Sequence, residues 1–219
     1  MFCHRLISPL VQPLTPDTRA GDALVRMEDA RVTLLPVVEE DRFLGLVSEA
    51  LLLDADAGSP LSSLQTRYLP YQVRPSDLFT TAVRLMVSTH SDLVAVVGPQ
   101  GVYEGAVTRD LLFRDVVEYG GMSGEGSILV LEMEKAFYSP GEICRIAEAN
   151  DALLTQLNTH GEPDSPVLTV LLRFNREEVS DVTASFRRHG YTVLHQQGQD
   201  VERDELISNL ENLMNYLNV

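Results

Sequence analysis

GLVSEALLL (residues 45–53) and GAVTRDLLF (residues 105–113) lie 60 positions apart and read alike: a glycine, two apolar residues, a hydroxyl residue, then an apolar run. The likeness extends upstream. LTPDTRAGDALVRMEDARVTLLPVVEEDRFLGLVSEALLL, from Leu14, sits over VRPSDLFTTAVRLMVSTHSDLVAVVGPQGVYEGAVTRDLLF, from Val73. Pro16 falls on Pro75, Ala23 on Ala82, Met27 on Met86 and Val37-Val38 on Val96-Val97. One extra residue in the second copy then brings Gly45 onto Gly105, Ser48 onto Thr108 and Leu51 onto Leu111. A chain that repeats itself at a fixed period stacks two copies of one supersecondary unit.

Each copy has a legible local structure. The prolines open a turn or a helix. Ala20, Ala23, Leu24 and Met27 recur at helical spacing, as do Phe79, Ala82, Val83 and Met86. LLPVV and LVAVV are of strand length; a turn (EEDR or GPQG) and a second strand (RFLGLV or VYEGAV) follow, which predicts a β-hairpin. A last helix is expected from Ser48 or Thr108, both good N-cap residues. Each copy thus reads as helix–strand–strand–helix, with a lead-in strand before its proline.

Composition narrows the function classes. The formal charge is −15, with Lys135 the only lysine against sixteen arginines. Nucleic-acid binding is driven by clustered cations, so this balance argues against it. No apolar run approaches the ~20 residues a membrane span needs, and the N-terminus lacks the pattern of a signal peptide. Two cysteines, Cys3 and Cys144, make no disulfide framework and suit free thiols in a reducing cytoplasm.

The duplicated pattern, with its G-h-h-[ST] ends (h, apolar), resembles a cystathionine-β-synthase (CBS) motif pair over residues 1–118, with copies at about 5–55 and 66–118. The resemblance implies one pseudo-symmetric module with two clefts between the copies, and effectors such as AMP, ADP, ATP or S-adenosylmethionine, with no cofactor required. In ligand-binding members the motif continues as G-h-h-[ST]-x-x-D. The hydroxyl at a helix N-terminus meets phosphate, and the carboxylate accepts from ribose hydroxyls. Here the aspartate positions hold Leu51 and Leu111. Asp110 comes one residue early, about 100° around the helix, and Arg109 stands within reach of a phosphate. The candidate ligand residues are therefore Ser48, Thr108, Arg109 and Asp110. The competing reading of both hydroxyls is helix capping, worth ~1 kcal/mol each.

YGGMSGEG (119–126) reads as a linker: it has no P-loop glycine spacing, no lysine, and a strand rather than a helix after it. Beyond it SILVLEME, PGEICRIAE, LLTQLNTH, VLTVLLRF, REEVSDVTASFRRHG and YTVLHQQ give the order βαββαβ, the ferredoxin-like arrangement. With PGEI at the first strand–helix junction, residues 127–219 resemble an ACT domain. That implies an amino-acid effector bordering Tyr138, Ser139, Pro140, Gly141 and Glu142; a tight turn before a capped helix is the alternative. The tail DELISNLENLMNYLNV predicts an amphipathic C-terminal helix. The fold class is thus α+β.

The five histidines are scattered, with no pair at i, i+3 or i+4 and no C-x-x-C, so neither a metal site nor a catalytic constellation is written in the sequence. A chain of CBS pair and ACT-like domain resembles the acetoin-utilisation accessory proteins of bacteria. The expectation is a cytoplasmic, non-catalytic sensor, a homodimer with an unknown protein target. The alternative is an interaction platform whose clefts are filled by side chains such as Leu51 and Leu111.

Overall fold

The computed structural model describes residues 1–121 and 124–197, in two compact units, Met1–Tyr119 and Gly120–Val219. In the first copy of unit 1, α1 (Ala20–Ala30) leads to β1 (Leu34–Glu39), β2 (Arg42–Ser48) and the short α2 (Glu49–Leu53). In the second, β3 (Gln72–Val73) precedes α3 (Phe79–Thr89), β4 (Leu93–Val97), β5 (Tyr103–Thr108) and α4 (Arg109–Tyr119). The helix faces are those the spacing predicts: Ala20, Ala23 and Met27 are buried in α1, Ala82 and Met86 in α3.

The repeat extends to backbone detail. Both first helices end on a left-handed residue, Arg31 and His90, each at φ 53°. Both hairpins slip register at one place, between Val37 and Val38 and between Val96 and Val97. The slip leaves Leu44 and Glu104 as the extra residues, each just before the motif glycine. The expected lead-in strands are reduced: a single bridge, Leu14 to Val37, in the first copy and the two-residue β3 in the second.

What precedes each lead-in crosses to the other copy. Residues 2–8 run along copy 2: the Cys3 N–H donates to Asp77 O at 2.8 Å, the His4 N–H to Pro75 O at 3.1 Å, and the Ser8 N–H to Ala106 O on β5 at 2.8 Å. The opening segment of copy 2 returns the exchange, with Leu46 of β2 and Leu69 trading N–H···O bonds at 2.8 Å each way. Each crossing lies directly over a motif glycine. A Cβ on Gly45 would stand 2.6 Å from Tyr68 Cβ, and one on Gly105 would stand 2.3 Å from Ile7 Cγ2. Both glycines also hold φ near +150° (144° and 153°), a region side chains avoid. The glycine that opens each motif is thus where the other copy's chain passes.

The cores follow the exchange. Cys3 and Leu6 are buried with Val73, Ala82, Met86, Val94, Val96, Val107 and Leu112 of copy 2. The larger core joins Leu14, Ala23, Met27, Leu35, Val37 and Leu46 of copy 1 to Leu93, Ala95, Val97 and Ala106 of copy 2. Burial pushes the Cys3 thiol up, with Asp77 adding to the effect, and both cysteines are free. Where the hairpin tips meet, the Tyr103 N–H donates to Asp41 O at 2.8 Å and the Phe43 and Tyr103 rings stack at 6.3 Å.

Unit 2 holds β6 (Ser127–Glu134), α5 (Pro140–Glu148), β7 (Leu154–His160), β8 (Val167–Phe174), α6 (Ser180–Arg188) and β9 (Thr192–Gln197). The sheet order is β7-β8-β6-β9 with every pair antiparallel, the ferredoxin-like topology. Ile143, Ile146 and Ala147 of α5 and Val182 and Phe186 of α6 pack on Leu129, Leu131, Val170, Leu172 and Phe174 of the sheet. The expected C-terminal amphipathic helix falls outside the described residues.

Gly45→Ala and Gly105→Ala should each destabilise unit 1 by about 1–3 kcal/mol through strain and overpacking. The midpoint of urea unfolding reads this, and Gly141→Ala, where an added Cβ meets nothing within 4 Å, serves as the neutral control. Tyr68, whose hydroxyl donates to Leu61 O at 2.6 Å, has its pKa pushed up by burial to about 12. Its contribution to stability is full below about pH 10, the unfolded value, and is lost as pH rises from there through the folded value. Tyr68→Phe should therefore flatten the fall in stability over that window in alkaline unfolding curves.

Candidate functional site

Ser48 and Thr108 stand at equivalent strand-to-helix turns. Ser48 Oγ accepts from the Leu51 N–H at 3.2 Å, and Thr108 Oγ1 from the Leu111 N–H at 3.4 Å. Both hydroxyls are therefore N-caps. A hydroxyl offers two acceptor sites and one donor, so this bond leaves its proton and one lone pair for a ligand. The two turns differ in the helix behind them: α2 has five residues, α4 eleven. Only the longer one aligns enough peptide dipoles to matter for an anion.

The residues following each hydroxyl point to different places. Leu51 is buried at 5% exposure, and Leu111 is half-buried. Apolar side chains thus occupy both positions where the motif calls for a carboxylate. Asp110 is exposed on the first turn of α4. Arg109 lines a groove of about 710 Å³ along α3 and α4, with Phe79, Val83, Met86, Leu112 and Val116. It belongs to the helical face of copy 2 as well as to the turn.

One residue that the motif does not mark joins the two turns. The Glu49 N–H donates to Thr33 O at 2.9 Å, and the Arg109 N–H to Asp92 O at 2.8 Å, so Thr33 and Asp92 are equivalent neighbours of the two helix starts. Asp92 then reaches across: its Oδ2 accepts from the Thr33 N–H at 2.6 Å. Its Oδ1 is buried with no protein partner among the described residues. The chain's own carboxylate thus binds a backbone donor between the copies. In sequence, Asp92 reads as an ordinary turn acid, because its partner lies 59 residues away in the other copy.

In unit 2, Ser139 caps α5, its Oγ accepting from the Glu142 N–H at 3.4 Å, and Pro140 occupies the first helical position. Gly141 faces open space. Tyr138 is partly buried against the core of the unit. Glu142 lines two adjoining cavities, of about 570 and 450 Å³, both also lined by His189. The Tyr191 phenol, hydrogen-bonded to Glu142, is raised by burial first and by that carboxylate second. Among the described residues there is no cluster of three metal-ligating side chains, and no helix is long and apolar enough to cross a membrane.

Ser48→Ala and Thr108→Ala should each lower stability by about 1 kcal/mol, as the loss of a cap does. The effects should add in the double variant, because each hydroxyl bonds only within its own turn. Urea unfolding of the four proteins checks this.

Similar solved structures span about half of this chain. A CBS domain pair/ACT domain protein from Thermotoga maritima is 19% identical over 54% of this chain and 98% of its own, with a TM-score of 0.47. A Vibrio cholerae structure assigned to acetoin utilization (AcuB) is 19% identical over 57% and 98%, with a TM-score of 0.48. CBSX2, solved in complex with AMP, is 25% identical over 54% and 98%, with a TM-score of 0.45. The family model of the CBS domain matches residues 6–58, which include α1, β1, β2 and α2 of the first copy with the Ser48 turn. That stretch of the chain, about a quarter of its length, is thus similar to a CBS domain.

Proposed function

We propose that the chain is a non-catalytic regulatory sensor that takes an adenosine-containing ligand between the two copies of unit 1. The observation that carries this reading is the pair of equivalent turns, each with a hydroxyl at a helix start, in a chain whose residues 6–58 match the CBS domain. Thr108 is the better ligand residue of the two, because α4 is long enough to favour a phosphate at its start. Arg109 and Asp110 complete the candidate set, as phosphate and hydroxyl partners. Residues 127–219 act as an ACT-like module that takes an amino acid beside Tyr138, Ser139, Pro140, Gly141 and Glu142; the open space over Gly141 leaves room for it. The working form is a homodimer in the cytoplasm that reports to a protein target. Ligand shifts it only by binding one arrangement of subunits better than the other, and about 1.4 kcal/mol of preference gives a tenfold shift.

A second reading has its own observations. Leu51 is buried where the motif places a ribose-binding carboxylate, and Asp92 already holds the Thr33 amide. On this reading unit 1 is an interaction platform with filled clefts and no nucleotide site. Thermal melting of the full chain with AMP, ADP, ATP, S-adenosylmethionine and amino acids, at low and high salt, separates the two. At a hundred times its dissociation constant, a true ligand adds about 2.7 kcal/mol and raises the melting temperature. The sensor reading expects a shift with an adenosine compound that Thr108→Ala or Arg109→Ala abolishes. A shift with amino acids alone moves the receptor to unit 2. No shift with any compound leaves the platform.

A further inference from the structure

We propose that the groove between α5 and α6 of unit 2 is a binding site for a small oxyanion, the phosphate or carboxylate head of a metabolite. The groove encloses about 570 Å³ and is lined by Arg145, Asn150, Ser185, Arg188 and His189 beside Ile146. Two arginines line it in a chain of formal charge −15. Among the described residues the ion pairs are Arg67–Asp54 and Arg176–Asp181, so neither Arg145 nor Arg188 has a carboxylate partner. The one acid lining the groove, Glu142, is already hydrogen-bonded to the Tyr191 phenol.

The groove is also built. Ser185 is buried, at 4% exposure, and its hydroxyl donates to Asn150 Oδ1 at 3.0 Å while accepting from Arg188 Nη2 at 2.7 Å. Asn150 is fixed in turn by its Nδ2 donating to Ile146 O at 2.7 Å. This relay across the two helices holds one edge of the Arg188 fork and leaves its other donors free. Arg145 is held likewise, its Nε donating to Gly141 O at 3.2 Å, with both terminal nitrogens available. His189 Nδ1 lies 2.8 Å from Ser185 O. A carbonyl only accepts, so Nδ1 carries a proton and this bond fixes the ring against α6. Two planar forks on facing helices suit bidentate recognition of an oxyanion. Asn150 and Ser185 are positioning residues, acting through Arg188. The groove shares only Glu142 with the amino-acid site proposed above and does not depend on it.

The test is titration of the full chain with inorganic phosphate and, separately, with acetate, at ionic strength held constant with chloride. Backbone amide NMR shifts of 145–150 and 185–190 provide the readout. Saturable shifts there are expected, and the tighter of the two anions identifies the head group. The Arg145→Gln/Arg188→Gln double variant should bind at least about tenfold more weakly while remaining folded, since both side chains are exposed. Arg188→Lys, which keeps the charge and loses the fork, should also weaken binding, and Asn150→Ala should weaken it without removing any proposed ligand contact. The proposal is overturned if neither anion saturates beyond the chloride control, or if the double variant binds as the unmodified chain does.

Discussion

Everything in unit 1 depends on two chain segments passing within contact distance of Gly45 and of Gly105. Tyr68 lies on the first and Ile7 on the second, each arriving from the opposite copy. A side chain at either point would collide with Tyr68 or with Ile7, and the backbone there already holds a conformation that favours glycine. The register slip next to each glycine bends the strand at the same place. Neither copy is complete alone: β2 is bordered by Leu69, and β5 by the chain at Ser8. The duplicated glycine is the mark of this exchange.

Much of this architecture could be read from residue spacing, because it is set by local periodicity. The buried faces of α1, α3, α5 and α6, the two hairpins and the βαββαβ order all follow from 3.6- and 2-residue patterns. The capping roles of Ser48, Thr108 and Ser139 are equally local. What could not be read is what distant chain segments do to one another. The glycines were visible as a pattern, but their reason lies in Tyr68 and Ile7, which carry no motif. Asp92 matters because Thr33 of the other copy faces it. Arg145 and Arg188 share a groove only because α5 and α6 pack side by side on one sheet, which no spacing in the sequence encodes.

The turn chemistry of unit 1 sets two demands against each other. Capping and ligand binding both use the hydroxyls of Ser48 and Thr108, yet a single acceptor bond does not exhaust either. The sharper competition is for the space and donors around them. Leu51 and Leu111 replace charge with apolar volume, and Asp92 supplies a negative charge from within. The acidic surface adds a long-range penalty for any anion approaching at low ionic strength, relieved as salt screens it. Arginine clusters such as that of unit 2 gain importance against this background.

The strand exchange also orders events in time. Ser8 leaves the ribosome roughly 100 residues ahead of its partner Ala106, about 5–20 seconds at ordinary rates of synthesis. Copy 1, by contrast, is closed by Leu69, soon after its own last helix. The first copy can therefore gather its hairpin and its border during translation, while the opening segment, with Cys3 and Leu6 still bare, waits for a sheet not yet made. Folding of unit 1 ends where its sequence begins.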